Sequence, residues 1–163
     1  HRAVQAWMVA TDGNAFALFE SGAIHQYLGR KYEQFYPTTE RRKAEIDQWL
    51  FWQVGGLGPM SGQALHFRKY ATEKIPYGVE RYTNEVARLF SVMERRLKDR
   101  DYLALEYSIA DIACFPWVRR WPDLGQNIGK FPRLKSWFDR IAARPAVMRG
   151  LQLGADPALR VNA

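Results

Sequence analysis

Short runs of apolar residues near the N-terminus predict two strands joined by a turn. Residues 4–10 form one extended apolar run, and residues 15–19 form a second. Between them, Asp12-Gly13-Asn14 supplies residue types that hairpin turns favour. A helix is predicted immediately afterwards, over residues 21–32. The chain therefore opens with a β-hairpin followed by a helix.

From Thr39 onward, the pattern of apolar positions is helical almost without interruption. The clearest stretch follows Pro76, since proline suits the first turn of a helix. Apolar positions recur there every three or four residues, which is the spacing of a helix face that packs on a core. They are Val79, Tyr82, Val86, Leu89, Phe90, Met93 and Leu97. Further helices are predicted around residues 40–54, 60–70, 109–117, 134–144 and 146–151.

Two local motifs bear on the helix boundaries. The run Gly55-Gly56-Leu57-Gly58-Pro59 is predicted to break or sharply bend its helix, because glycine adds backbone freedom and proline removes a donor. Ser108 and Asp111 have the spacing of a capping box, with Asp in place of the more usual Glu. We interpret this pair as structural, because capping accounts for both side chains.

Composition and charge limit the classes of function that we expect for this chain. Of the 163 residues, 47% are hydrophobic, so a folded globular protein is expected. The net charge of +7 comes from scattered basic residues, most of them interleaved with acids, and no nucleic-acid-reading motif accompanies them. We therefore expect no nucleic-acid partner. The absence of any stretch of 18 apolar residues, or of a leader-like start, predicts no membrane association.

The cysteine and histidine content argues against a disulfide framework or a metal site. The chain has a single cysteine and three histidines, without metal-ligand spacing. This usage fits a reducing, cytoplasmic location. Cys114 lies on the apolar stretch of its predicted helix, so we expect a buried small hydrophobe rather than a nucleophile.

The pair Glu20-Ser21 is the most distinctive polar feature, because it opens a predicted helix directly after an apolar strand. The N–H groups and the positive end of a helix attract a carboxylate, and a serine hydroxyl can donate to it. Glu20 suits an ammonium group. A group with both charges, such as the α-amino acid end of a peptide, would fit there. The competing interpretation is a simple helix cap, for which serine is well suited.

Together with this pair, four runs of the sequence resemble the glutathione transferases, and more specifically the bacterial glutathione-dependent disulfide reductases related to the yeast prion-type homologues. The runs are Phe19-Glu20-Ser21-Gly22-Ala23-Ile24, Gln48-Trp49-Leu50-Phe51-Trp52-Gln53-Val54-Gly55-Gly56-Leu57-Gly58-Pro59-Met60, Ile75-Pro76-Tyr77 with Arg81-Tyr82, and Tyr107-Ser108-Ile109-Ala110-Asp111-Ile112-Ala113. The second run is long and unusual. The resemblance extends from about Val4 to Arg149.

This resemblance implies a mostly α fold in two parts. Residues 1–36 would be the last β-hairpin and helix of a thioredoxin-like glutathione-binding domain. Residues 37–163 would be an all-helical C-terminal domain that shapes the pocket for the second substrate. Glu20 and Ser21 would bind the γ-glutamyl end of glutathione. The resemblance also implies a homodimer, with glutathione as cosubstrate and a small electrophile or disulfide as second substrate.

Two departures from the family pattern precede the hairpin turn. Family members have a Val-Pro-Ala segment with a cis proline, and the backbone before that proline pairs with the cysteinyl part of glutathione. This chain has Val4-Gln5-Ala6, and a cis bond before a non-proline residue costs about 2.5–4 kcal/mol. Val4 stays a candidate for that backbone contact. The opening βαβ unit, which carries the thiolate-stabilising group in the family, needs roughly 30 or more residues, more than the 17 that precede Leu18. Impaired activity is therefore expected if the chain is complete as given.

Several polar residues of the helical part are further candidates for the substrate site. The resemblance suggests Arg88 as a glutathione contact, and a solvated helix charge is the alternative. Gln63 and His66 follow the glycine-rich run and are candidate pocket residues, although a lone histidine is usually structural or surface-exposed. Arg119 and Arg120 could face the pocket mouth or stack on the tryptophans beside them.

Two functional hypotheses remain open at this point. The first is glutathione conjugation or glutathione-dependent disulfide reduction, in which the family lowers the pKa of the glutathione thiol and the thiolate attacks an electrophile or a disulfide. The second is a non-catalytic, transferase-like module that acts through dimerisation or protein contacts.

Overall fold

The structure is a computed structural model that describes the backbone of residues 6–9 and 15–153, and the side chains of residues 18–153. The strands β1 (Ala6–Val9) and β2 (Ala15–Leu18) pair antiparallel, with Ala6 opposite Leu18. The helix α1 (Ser21–Tyr32) follows directly. The predicted hairpin and helix are therefore confirmed over the described residues.

The rest of the described chain is helical, and the predicted mostly α fold class is confirmed. Proline at the first helical position opens several of these helices, as the fixed φ of proline favours. The helices are α2 (Glu40–Trp52), α3 (Gly58–Leu65), α4 (Pro76–Arg96), α5 (Ile109–Val118), α6 (Pro132–Ala142) and α7 (Pro145–Leu153), with short 3₁₀ turns at Leu97–Asp99 and Ile128–Lys130.

The glycine-rich run does not break its helix, so of the two predicted outcomes the break is wrong and the sharp bend stays a prediction. Residues Gln53–Leu57 form a π-helical turn that joins α2 to α3, and the Gly58 N–H donates to the Gln53 carbonyl five residues earlier. A second π-helical turn, His66–Tyr70, follows α3. Wider hydrogen-bonded turns accommodate the glycines without interrupting the helix, and such turns are frequent near functional sites.

The main core lies among α3, α4, α5 and α6. Val86, Phe90 and Met93 of α4 are fully buried, as the predicted apolar face requires, and Trp137 of α6 is buried beside them. A second cluster joins α2 to the start of α5. Its members are Tyr36, Ile46, Leu50, Ala104, Ile109, Ala110 and Ala113.

The capping box at the start of α5 is confirmed and lies inside the protein. Asp111 is fully buried and accepts hydrogen bonds from the Ser108 N–H at 3.0 Å and the Leu103 N–H at 3.0 Å. It also accepts from the Trp137 indole Nε1 at 2.8 Å. Burial raises the pKa of Asp111, and these hydrogen bonds oppose that rise. The motif ties α5, α6 and the loop before them together.

The linker between α1 and α2 is held in an uncommon conformation. Glu33 and Phe35 have φ values of 51° and 60°, a region that non-glycine residues rarely adopt. The Phe35 carbonyl accepts a hydrogen bond from the Ile109 N–H at 3.0 Å. The proposed division of the chain after residue 36 falls in this linker and stays a prediction.

Candidate functional site

The start of α1 has a strained backbone at Glu20. This residue has φ 67° and ψ 115°, and a positive φ at a non-glycine residue costs about 1–3 kcal/mol. Its carbonyl accepts the Ile24 N–H at 2.9 Å, so the helix begins with normal hydrogen bonding after the strained residue. Backbone strain of this kind clusters at functional sites, which makes this helix start a candidate.

The side chains at this helix start do not cap it. Glu20 occupies the N-cap position and makes no side-chain hydrogen bond to the helix start, and Ser21 is the first helical residue. Both residues are exposed. The first N–H groups of a helix have no carbonyl four residues earlier, so they remain available to an anion. The helix-cap interpretation of the pair is therefore not supported.

Close packing places the first turn of α1 beside the π-helical turn and the last turn of α2. A Cβ at Gly22 would lie 3.2 Å from a methyl group of Val54 and 3.9 Å from Leu50. The absence of a side chain at Gly22 thus lets the first turn of α1 approach Val54. Because Val54 belongs to the π-helical turn, Glu20 and Ser21 lie beside that turn.

A partly buried hydrogen-bond network holds the middle of α1. Gln26 Nε2 donates to Asp47 Oδ1 at 2.8 Å, and the Tyr36 hydroxyl lies 2.9 Å from both oxygens of the same carboxylate. Burial, together with Asp47, raises the pKa of Tyr36 to about 12. A Cβ at Gly29 would lie only 2.6 Å from the Tyr36 Cβ. Only glycine allows the linker to fold back on α1 here.

His25 lies one turn after Ser21 and contacts the same helix start. Its Nδ1 donates to the Ser21 carbonyl at 2.7 Å. Burial lowers the pKa of His25, and this hydrogen bond opposes the effect. The neutral imidazole is therefore favoured beside the site.

Comparison with known proteins identifies the family. Residues 68–145 match the sequence profile of the glutathione S-transferase C-terminal domain. The disulfide-bond oxidoreductase YfcG of Escherichia coli is 48% identical over 149 residues, and the match covers 89% of this chain and 69% of YfcG. The chain belongs to the glutathione transferase family.

Two further relatives confirm the branch. The transcriptional regulator URE2 of Saccharomyces cerevisiae is 33% identical over 176 residues, covering 83% of this chain and 50% of that protein. A glutathione transferase from Burkholderia graminis, solved with two glutathione molecules per subunit, is 40% identical with a TM-score of 0.80. That match covers 88% of this chain and 63% of the solved one. The chain thus spans about half to two thirds of the length of these relatives.

The other predicted residues lie on exposed surfaces, and one lies outside the described part. Gln63 on α3 and His66 after it are exposed. Arg88 on α4 forms an ion pair with Glu85, with nitrogen–oxygen distances of 2.7 and 2.8 Å. Val4 lies outside the described residues. The role of each in glutathione binding stays a prediction.

Arg88 lines a surface groove rather than standing free in solvent. The groove has a volume of about 710 Å³ and lies along the exposed face of α4. Met60 of α3 and Tyr77, Glu80, Arg81, Tyr82, Asn84 and Glu85 of α4 complete its lining. The pairing with Glu85 raises the pKa of Arg88 and lowers that of Glu85, so both stay charged.

Two further predictions concern arginines and the single cysteine. Arg120 contacts Asp123 at 3.3 Å and the Tyr70 hydroxyl at 3.4 Å. These contacts differ from stacking on tryptophan, one of the two predicted placements, and the other, at the mouth of the substrate pocket, stays a prediction. Cys114 is fully buried, as expected, and desolvation raises the pKa of its thiol well above the usual range. A buried neutral thiol does not serve as a nucleophile.

The described residues hold no obvious metal site and no bilayer-spanning helix. No group of three or more histidine, cysteine or acidic side chains is placed to hold a metal ion within residues 18–153. None of the helices described there combines the length and apolar character needed to cross a bilayer.

Sequence reasoning missed the residues that hold α1 in place. Tyr36 and Asp47 are separated in the sequence, and neither belongs to a recognisable motif. Gly29 offered the only signal, since a glycine inside a predicted helix often marks a close approach. That approach fixes the later turns of α1 against the linker that follows.

Proposed function

We propose that this transferase-family protein binds glutathione and uses it to reduce disulfides. The observation that carries the proposal is the start of α1, where Glu20 is strained and both Glu20 and Ser21 are exposed without capping the helix. An unsatisfied helix start with an acid beside it fits a zwitterionic group. The γ-glutamyl end of glutathione is such a group.

The chemistry of each contact follows from the charges. The carboxylate of the γ-glutamyl group would accept from the Ser21 hydroxyl and the free N–H groups of the first turn. The ammonium group would pair with Glu20. Hydrogen bonds to charged groups contribute about 1.5–3 kcal/mol each, so loss of either side chain should weaken binding at least tenfold.

The similarity to YfcG favours disulfide reduction over conjugation, because that relative is named a disulfide-bond oxidoreductase. In the proposed reaction a glutathione thiolate attacks a disulfide, forms a mixed disulfide and releases one thiolate. A second glutathione thiolate then attacks the mixed disulfide and releases the other. Two glutathiones become glutathione disulfide, and the substrate disulfide becomes two thiols. We assign no residue of 18–153 to thiolate stabilisation.

Calorimetric titration of the chain with reduced and oxidised glutathione tests the proposal. Saturable binding at millimolar ligand or tighter is expected, and it should weaken at least tenfold in Glu20→Gln. The matched control is Glu40→Gln, since Glu40 opens α2 but pairs only with Lys43 on the surface. No saturable binding would contradict the proposal and favour the alternative, a non-catalytic interaction module.

We further propose that the protein is a cytoplasmic homodimer. Phe19 and Phe51 are 61% and 64% exposed, and the contact of Gly22 with Leu50 places both aromatic residues near the start of α1. Exposed aromatic side chains are enriched in interfaces. Sedimentation equilibrium should show a dimer that Phe51→Ser weakens, while Leu105→Ser, at a residue 65% exposed elsewhere, leaves it intact. A monomeric wild type would contradict this proposal.

A further inference from the structure

The first turn of α1 packs on the helical part of the protein through Gly22. This glycine follows Ser21 directly, and its N–H is among the first four of the helix, which have no intrahelical partner. A Cβ at Gly22 would lie 3.2 Å from a Val54 methyl group and 3.9 Å from the Leu50 Cγ. The first distance is shorter than ordinary van der Waals contact, so the backbone of the first turn packs directly on Val54.

The first π-helical turn holds Val54 in place. The neighbouring Gln53 is 5% exposed, and Leu57 is fully buried. The Gln53 carbonyl accepts the Gly58 N–H that closes the turn. Gly58 packs closely on α5, because a Cβ there would lie 3.2 Å from the Trp117 Nε1. The position of Val54 is therefore set by the packing of this turn on α5.

The later turns of α1 are fixed by separate contacts. Gln26 Nε2 donates to Asp47 Oδ1 at 2.8 Å, and Gly29 packs on the Tyr36 Cβ. Neither contact includes the first turn of the helix. The packing at Gly22 therefore restrains the helix start in a way that the later turns do not.

We propose that Val54 is a positioning residue for the glutathione site. It acts through Gly22 and sets the place of the first turn of α1, and with it the direction of the N–H groups and of the Glu20 and Ser21 side chains. This inference rests on the proposed function, in which those groups bind the γ-glutamyl end of glutathione. A misplacement of about 1 Å in a binding site can cost about 100-fold in catalysis, so a shift of this turn should be measurable as lost affinity.

A double-mutant cycle at Gly22 and Val54 tests the proposal by calorimetric titration with reduced glutathione. Val54→Ala removes the contacting methyl group, and Gly22→Ala adds a Cβ against it, so each should weaken binding about fivefold. The double variant Gly22→Ala/Val54→Ala combines the added Cβ with the removed methyl group, and its affinity should return to within about twofold of the wild type. Additive losses in the double variant, or wild-type affinity in Val54→Ala, would overturn the proposal.

The matched control is Val118→Ala, which makes the same truncation at a fully buried residue of the main core. This variant should lower the free energy of unfolding at least as much as Val54→Ala does, yet leave the glutathione affinity of the folded protein unchanged. The conservative Val54→Ile keeps both branches of the side chain and should retain most of the affinity. An equal loss of affinity in Val118→Ala would attribute the effect to general destabilisation and would overturn the proposal.

Amide hydrogen exchange at Ile24 supplies a second measurement that needs no ligand. The Ile24 N–H donates to the Glu20 carbonyl at 2.9 Å and so reports opening of the first turn. Its exchange should be about fivefold faster in Val54→Ala and unchanged in Val118→Ala, because the end of a helix opens locally. Absence of glutathione binding in the wild type would contradict the proposed function, whereas unaltered Ile24 exchange in Val54→Ala would overturn the positioning role.

Discussion

The starts of α1 and α5 pair similar residue types with opposite environments. At α5, Ser108 and Asp111 are fully buried, and the Asp111 carboxylate accepts hydrogen bonds from three parts of the chain. At α1, Glu20 and Ser21 are exposed, and neither caps the helix. The same combination of a hydroxyl and an acid at a helix start therefore stabilises the fold in one place and is exposed without capping contacts in the other.

The difference follows from what surrounds each helix start. The start of α5 faces the indole of Trp137 and the Leu103 N–H, which leave its carboxylate no room for an outside partner. The contacts that fix α1 are the close approaches at Gly22 and Gly29 and the hydrogen bond to Asp47. The polar groups at the start of α1 therefore take no part in packing. Substitutions at the start of α5 should therefore lower stability, and substitutions at the start of α1 should weaken ligand binding.

The largest expected effect comes from Asp111→Ala. This change leaves the Leu103, Ser108 and Trp137 donors buried without an acceptor, and because each unsatisfied buried donor costs about 1–3 kcal/mol, the three together predict a loss of about 3 kcal/mol or more. Urea unfolding should show a loss of that size. Asp139→Ala, at an exposed residue of α6, is the control and should change the free energy of unfolding by less than about 0.5 kcal/mol. Equal losses of stability in the two variants would contradict the structural role assigned to the start of α5.

The next effect concerns the support behind the α1 site. In Gly29→Ala the new Cβ would lie 2.6 Å from the Tyr36 Cβ, and backbone-fixed atoms cannot rotate away. We expect a loss of about 1–3 kcal/mol in the free energy of unfolding, as for other overpacked sites. Gly62→Ala is the matched control, because nothing lies within 4 Å of that position. An unchanged free energy of unfolding in Gly29→Ala would contradict the close packing of α1 against the linker.

A smaller and opposite effect is expected at Glu20. Glycine adopts a positive φ without strain, so Glu20→Gly should raise the free energy of unfolding by about 0.5–1 kcal/mol while weakening glutathione binding. In Glu40→Gly, at a regular helical position, the free energy of unfolding should fall instead. Differential scanning calorimetry and glutathione titration together check both variants. A destabilised Glu20→Gly would show that the Glu20 side chain is structural.

The smallest effect is the pH dependence from His25. Because burial lowers its pKa in the folded state, the unfolded state binds the proton more readily. The free energy of unfolding should therefore decrease as pH falls below the unfolded pKa of about 6.5. Urea unfolding between pH 7.5 and 5.5 should show a shallower slope in His25→Asn than in the wild type. An unchanged pH dependence in His25→Asn would contradict the lowered pKa of His25 in the folded protein.

The sequence predicted those features that local pattern determines. The apolar face of α4 and the capping box of α5 follow from spacing alone, and the structure confirms both. The outcome at Gly55–Pro59 was not predictable from residue propensity, because Gly58 packs closely against Trp117, which is distant in the sequence. The Tyr36–Asp47 contact was likewise hidden, since it joins residues that no local motif connects. Glu20 and Ser21 were recognisable, but their lack of capping contacts required the structure.

The most direct test compares Ser21→Ala with Ser108→Ala by paired measurement of glutathione affinity and urea unfolding. Ser21→Ala should weaken glutathione binding about tenfold and leave the free energy of unfolding within about 0.5 kcal/mol of the wild type. Ser108→Ala should lower that free energy by about 1–2 kcal/mol and leave the affinity of the folded protein unchanged. Unaltered glutathione binding in Ser21→Ala, or a stability loss there equal to that in Ser108→Ala, would contradict the account.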